Sequence, residues 1–191
     1  MKRYRLMIPG PVEVVPEVLA EMAQPLVAHY GEEWADFYKE TIDLLRKVFQ
    51  TKGDVFLIVG SGSAGLDAAL GSTVAPDKKV LIPHNGFFGE RLEEIARTYT
   101  PYVTTLKFPL GQTYDLEQIE KALRKCKYDV LAAVHCETST GVLNPIKELA
   151  GLCNRYSVLS PLWLSSPLRW MPGGLGFVFR LRKKGLSRRR G

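Results

Sequence analysis

No aspartate or glutamate follows Glu148 in this chain of 191 residues. Everything after that point therefore lacks a carboxylate for acid–base work, for a metal ion or for pairing with a cation. Cysteine is also scarce. Cys126, Cys136 and Cys153 are odd in number and form no C-x-x-C, which excludes a disulfide framework and a thiolate zinc site. His135 and Cys136 are adjacent, and neighbours on a strand point to opposite faces, so a shared metal is excluded as well; the thiols read as buried and structural. No apolar run approaches the ~20 residues of a membrane span. The opening "MKRYRLMIPGP" has no apolar stretch, because Pro9 and Pro11 interrupt it, so we expect no signal peptide and a cytoplasmic protein. What is present, 46% hydrophobic and 24% charged residues, suits one ordinary globular domain.

The net charge of +6 belongs to one end of the chain. Residues 157–191 hold eight Lys and Arg, among them Arg180, Lys183, Lys184 and Arg188, and no acid. Removing those eight from the 26 basic residues leaves 18 against 20 acids, a net of −2 for the body. The body thus carries no footprint for nucleic acid. The tail "RLRKKGLSRRR" could contact phosphates of a nucleic acid or membrane; a disordered or out-of-frame end is the reading preferred here.

Along the body, apolar runs of strand length alternate with amphipathic helical segments. "EEWADFYKETIDLLRKVFQ" (32–50) repeats apolar residues with the helical period, from Trp34 to Phe49. "VFLIV" (55–59) predicts a strand buried on both faces. A helix is expected over 64–74, a strand over 79–83, a helix over 89–99 and a strand over 102–108. Then follow a helix over 114–126 capped by Asp115, a strand over 128–136, and a helix over 144–156 with Asn144 as cap and Pro145 at its first position. Four strands alternating with four helices define an α/β domain with a mostly parallel sheet. After Tyr156 no period can be followed.

"VGSGSAGLDAALG" (59–71) contains G-x-G-x-x-G at Gly60, Gly62 and Gly65, between an expected strand and a helix. Free N–H groups at a helix start attract an anion, and Ser61 and Ser63 add hydroxyls. A tight βα turn that needs small residues is the competing reading. A dinucleotide site wants an acid about 20 residues on, at the end of the next strand; "KKVLIPHNGF" has none. A triphosphate loop wants G-K-[ST]; Ala64-Gly65-Leu66 stands there instead. One phosphate, held by backbone and hydroxyl groups, remains.

Two further loops follow strands and reach the same edge. "HNGFFGERL" (84–92) turns at Asn85-Gly86 and delivers Phe87 and Phe88, either to stack on a flat ring or simply to pack under a loop. "HCETSTGVLNP" (135–145) brings Glu137, Thr138, Ser139 and Thr140, as site groups or as a capped loop before the next helix.

Together, "IPGPVEVVPEVL", "GSGSAGLDAAL", "NGFFGER" and "ETSTGVLNPI" resemble class V aminotransferases of the alanine–glyoxylate and serine–pyruvate type, over about residues 5–156. The resemblance implies part of the three-layer large domain of pyridoxal phosphate fold type I, without the C-terminal small domain. It implies an N-terminal arm over 1–30 near the active site and dimer interface (the stretch around His29 included), a partial cofactor domain over 31–156 and an atypical basic tail over 157–191. The cofactor would be pyridoxal 5'-phosphate. Ser61, Gly62 and Ser63 match the segment that binds its phosphate, Phe88 the aromatic that stacks on its ring, and Thr138 the hydroxyl residue that contacts the ring. The substrates would be a small amino acid of the alanine or serine type and a 2-oxo acid of the glyoxylate or pyruvate type. A homodimer is implied for the full-length family; no nucleic acid, membrane or metal is expected.

The same resemblance asks for two more groups. An Asp about 25 residues after Thr138 should pair with the pyridine nitrogen; Trp163 stands there. A Lys should bind the cofactor covalently and move protons; "GFVFRLRKKGL" (176–186) selects Lys184 in the one register that fits. The abrupt loss of acids and the surviving fragment "FVF" point to a shift of reading frame near residue 157. An inactive fragment or binding module is therefore weighed against an active aminotransferase, and a lyase or desulfurase relative against both.

Overall fold

The computed structural model describes residues 5–8, 10, 12–49 and 51–159, together with the backbone of two short strands at 162–165 and 177–178. It divides into two compact units, one reaching Val59 and one starting at Gly60.

In the first unit, α1 (Pro16–Met22) starts on Pro16, whose fixed φ suits a first helical turn. The sequence reading did not anticipate this helix, and none of its residues is buried. The expected amphipathic helix is α2 (Gly31–Val48), with Glu32 and Glu33 in its first turn and Arg46 and Lys47 in its last, each sign matched to the helix dipole. Ile42 is its buried residue, and Trp34 lies against Phe37 and Tyr38.

The run Val55–Val59 corrects an expectation. It forms no strand, and Phe56 is 78% exposed with Val59 fully so. An apolar run becomes a strand only when a neighbouring edge accepts its N–H and C=O groups. Among the described residues no strand pairs with it.

The second unit carries the sheet. The helices that flank it are α3 (Gly62–Gly71), α4 (Phe87–Tyr99), α5 (Leu116–Lys125) and α6 (Ile146–Tyr156). Strand β1 (Val80–His84) pairs in parallel with β2 (Val103–Lys107) along its full length, from Val80 opposite Val103 to His84 opposite Lys107. On its other side β1 pairs with β3 (Val130–Leu131). After Ala132, β4 (Ala133–Val134) pairs with β7 (Leu162–Ser165), also in parallel, and β8 (Phe177–Val178) runs antiparallel to β7. The strand expected over 128–136 is broken into β3 and β4, with Ala132 between them donating to the Leu81 carbonyl at 3.0 Å. The sequence also missed a small hairpin of β5 (Cys136–Glu137) and β6 (Val142–Leu143).

Period-2 alternation splits the strand residues between two cores. Val80, Ile82, Val130 and Val134 face Leu66 and Leu70 of α3 and Leu92 and Ile95 of α4. Leu81, Leu131 and Ala133 face Ile119 and Leu123 of α5 and Leu149 and Leu152 of α6. Helices on both faces of a largely parallel sheet give the expected three-layer α/β arrangement. Asp115 caps α5 as expected, accepting from the amides of Glu117 and Gln118 at 2.9 and 3.2 Å. Asn144 does not cap α6; Pro145 occupies that position without a side-chain bond, and the Asn144 amide is drawn elsewhere.

Candidate functional site

Because β1, β3 and β4 run in parallel, His84 and Val134 end at one edge of the sheet, where open α/β sheets bind ligands. Two buried amides tie the edge together. Asn85 Nδ2 donates to Asn144 Oδ1 at 2.9 Å and to the Gln112 carbonyl at 2.6 Å. Asn144 Nδ2 donates to Asn85 Oδ1 at 3.3 Å and to the Val134 carbonyl at 2.9 Å. This explains why Asn144 is not a cap: its amide closes a bridge between segments 59 residues apart. Tyr114, also buried, accepts from the Val134 amide and donates to its carbonyl, both at 3.2 Å. Burial holds its phenol well above the ordinary value.

Glu137 is wholly buried and joins the second and third loops. Its Oε2 accepts from the amides of Phe88 and Gly89, each at 3.1 Å. Its Oε1 accepts from the Ser139 amide at 3.2 Å and from Ser139 Oγ at 2.5 Å. Ser139 Oγ in turn accepts from the Phe87 amide at 3.1 Å. A carboxylate at a helix start offsets the dipole and satisfies free amides. Two glycines permit this closeness. A Cβ on Gly86 would lie 2.6 Å from Glu137 Cδ, and one on Gly89 would overlap His84 Cβ.

The first loop is built differently. Ser61 caps α3, its Oγ accepting from the Ala64 amide at 3.4 Å and its carbonyl from the same amide at 3.0 Å. Gly62 and Ser63 are the first two residues of the helix. Among the described residues their amides make no hydrogen bond, so two free N–H groups, the helix dipole and two serine hydroxyls remain for an anion. That donor set suits a phosphate monoester. α3 and α4 lie side by side and in the same direction. Tyr99 at the end of α4 donates to Asp67 Oδ1 at 2.9 Å and packs over Gly71 at the end of α3. Phe88, near the start of α4, packs on the cluster that contains Leu66.

Burial shifts three titratable groups here toward their neutral forms. Burial lowers the imidazole of His84, with Glu93 partly opposing at 3.7 Å. Burial also lowers His135. Burial, helped by Glu137, raises the Cys136 thiol. Of the three cysteines only Cys153 is buried; Cys126 and Cys136 are half-buried, which corrects the expectation for those two.

The sequence-derived residues fall as follows. Phe88 is half-buried and meets Phe87 edge-on, ring centres 5.3 Å apart. Thr138 is half-buried in the turn of the β5–β6 hairpin, one residue from Glu137. The structure thus joins the Phe88 and Thr138 loops through Glu137, and sets the Ser61–Ser63 turn on the helix beside α4. Trp163 lies on β7, opposite Val134 of β4. Lys184 lies outside the described residues. Sequence reasoning named Glu137 but missed its bracing role; it read Asn85 only as a turn residue and Asn144 only as a helix cap, and gave Tyr114 no part. Their pairings span 10 to 59 residues and leave no local signal.

The fold defines the class first: the described domain is part of the large α/β domain of pyridoxal-phosphate-dependent aminotransferases. The solved ureidoglycine–glyoxylate aminotransferase of Bacillus subtilis superposes with a TM-score of 0.80 at 37% identity, over 85% of this chain and 42% of that one. The chain belongs to the aminotransferase class-V family, whose profile matches residues 15–161. It is 39% identical over 155 residues to the (S)-ureidoglycine–glyoxylate transaminase of Bacillus subtilis, covering 81% of this chain and 37% of the relative. It is 34% identical over 155 residues to the alanine–glyoxylate aminotransferase of Rattus norvegicus, with the same coverage. The chain therefore spans about two-fifths of the length of the relatives it matches. No described helix is long and apolar enough to cross a membrane.

Proposed function

We propose that this chain holds pyridoxal 5'-phosphate at the carboxyl edge of its sheet. The observation that carries the reading is the start of α3, where the Gly62 and Ser63 amides and the Ser61 and Ser63 hydroxyls offer donors to one phosphate. Phe88 would lie against the pyridine ring and Thr138 would contact its edge. Glu137 and the Asn85–Asn144 bridge hold those two groups in place. When bound, the cofactor supplies an electron sink for an amino acid's Cα. The chain's own residues bind and orient it and shield one face from water.

The reaction proposed is transfer of an amino group between a small amino acid of the alanine or serine type and a 2-oxo acid of the glyoxylate or pyruvate type. The ureidoglycine–glyoxylate and alanine–glyoxylate activities of the relatives support it. Two copies of the chain would form the working assembly. Lys184 is the lysine assigned to covalent attachment.

A second reading has its own observation. β7 offers Trp163 at the register position 25 residues after Thr138, and no acid follows Glu148. Without a carboxylate at the pyridine nitrogen the electron sink is weak. We infer a chain that binds the cofactor and turns over little, with residues 157–191 read in a shifted frame. The test is direct. Mix the chain with pyridoxal 5'-phosphate, reduce with borohydride and map the label. Label on Lys184, lost in Lys184→Ala, supports the assignment; no label at any lysine sinks it. Alanine–glyoxylate transfer by the wild-type chain at a rate typical of an enzyme (kcat about 1 s⁻¹ or more) would sink the second reading. A gene with no family-like frame beyond the stop codon would sink the frame shift.

A further inference from the structure

The ring end of the site is braced by a carboxylate whose two oxygens are both taken by protein donors. We propose that Glu137 is a positioning residue for the cofactor ring, an inference that rests on the reading above. Its two oxygens divide their work. Oε2 holds the Phe88 and Gly89 amides, and so sets where α4 begins and where the Phe88 ring is aimed. Oε1 holds Ser139 by both its amide and its hydroxyl, and so sets the turn that carries Thr138. One rigid group thereby fixes the gap between the two residues expected to flank the ring. Gly86 backs it at a distance no side chain would tolerate. Among the described residues nothing binds Glu137 to the Ser61–Ser63 turn, so its effect should stop at the ring.

That separation makes the test. Titrate the full chain with inorganic phosphate and with pyridoxal 5'-phosphate, and record the induced dichroism of the bound cofactor. Compare wild type with Glu137→Gln, which keeps shape and loses charge, and with Ser139→Ala, which leaves Glu137 its other three partners. In Glu137→Gln the Kd for phosphate should stay within about twofold, while that for pyridoxal 5'-phosphate rises about tenfold and the dichroism changes. Ser139→Ala should show the same pattern at about threefold. If Glu137→Gln weakens both ligands equally, Glu137 is merely structural and the inference falls. If it weakens neither, the inference falls while the cofactor reading stands. If the wild type binds pyridoxal 5'-phosphate no better than inorganic phosphate, the cofactor reading itself fails and takes this inference with it.

Discussion

The start of α3, proposed as the phosphate end, and the Glu137-braced edge, proposed as the ring end, use opposite construction. At the phosphate end, Ser61 is exposed and makes one side-chain bond, at 3.4 Å, and the groups that matter are backbone amides left free by the geometry of any helix start. At the ring end, Glu137, Asn85 and Asn144 are buried, and every polar atom they bring is spent on a protein partner. An anion cup can thus be made from a few consecutive small residues. A ring slot has to be assembled from distant segments and then braced. The first should tolerate substitution with little cost in stability. The second should not.

The largest effect is expected at Gly89. Its Cβ in Gly89→Ala would overlap the His84 side chain and approach the His84 Cα at 2.9 Å. A backbone contact cannot swing aside, so we expect a loss of about 3 kcal/mol, read as a lowered Tm. Glu137→Ala comes next. It leaves the amides of Phe88, Gly89 and Ser139 without their acceptor, the Gly89 amide in a buried position, and should cost about 2 kcal/mol. A melt unchanged in either variant would break the contrast between the two ends.

A smaller, pH-dependent effect follows from His84 and His135. Both have imidazoles lowered below 6.5 by burial. The unfolded chain therefore binds more protons than the folded one as the pH drops below 6.5, and stability is lost there. Tm should fall between pH 7.5 and 5.5, and His84→Gln with His135→Gln should flatten the slope. The smallest effect on stability belongs to the cup. Ser63→Ala should leave Tm unmoved yet weaken phosphate binding about fivefold, the loss of one hydrogen bond to an anion. A Tm that falls as much as in Glu137→Ala would erase the difference between the ends.

The same contrast explains what could be read in advance. The helix at 31–48, the strands at 80–84 and 103–107 and the Asp115 cap are local, since period and capping chemistry determine them within a few residues. The small-residue turn that opens α3 was legible for the same reason. Val55–Val59 was misread because a strand is a property of two segments, and no described strand accepts this one. Asn144 was misread because its amide serves Asn85 rather than the helix it precedes. The hairpin at 136–143 was missed because two-residue strands carry no period. Nothing in the composition distinguishes Glu137 from a solvated loop acid; only its five polar contacts in three dimensions do so, directly or through Ser139.

The central claim is that one anion cup at the start of α3 anchors a flat cofactor. The most direct measurement is calorimetric competition on the whole chain, titrating pyridoxal 5'-phosphate in the absence and presence of inorganic phosphate. The account predicts one site, tighter binding by the ring-bearing ligand, and an apparent Kd that rises in proportion to added phosphate. A Kd indifferent to phosphate, or the absence of any binding heat, would contradict it.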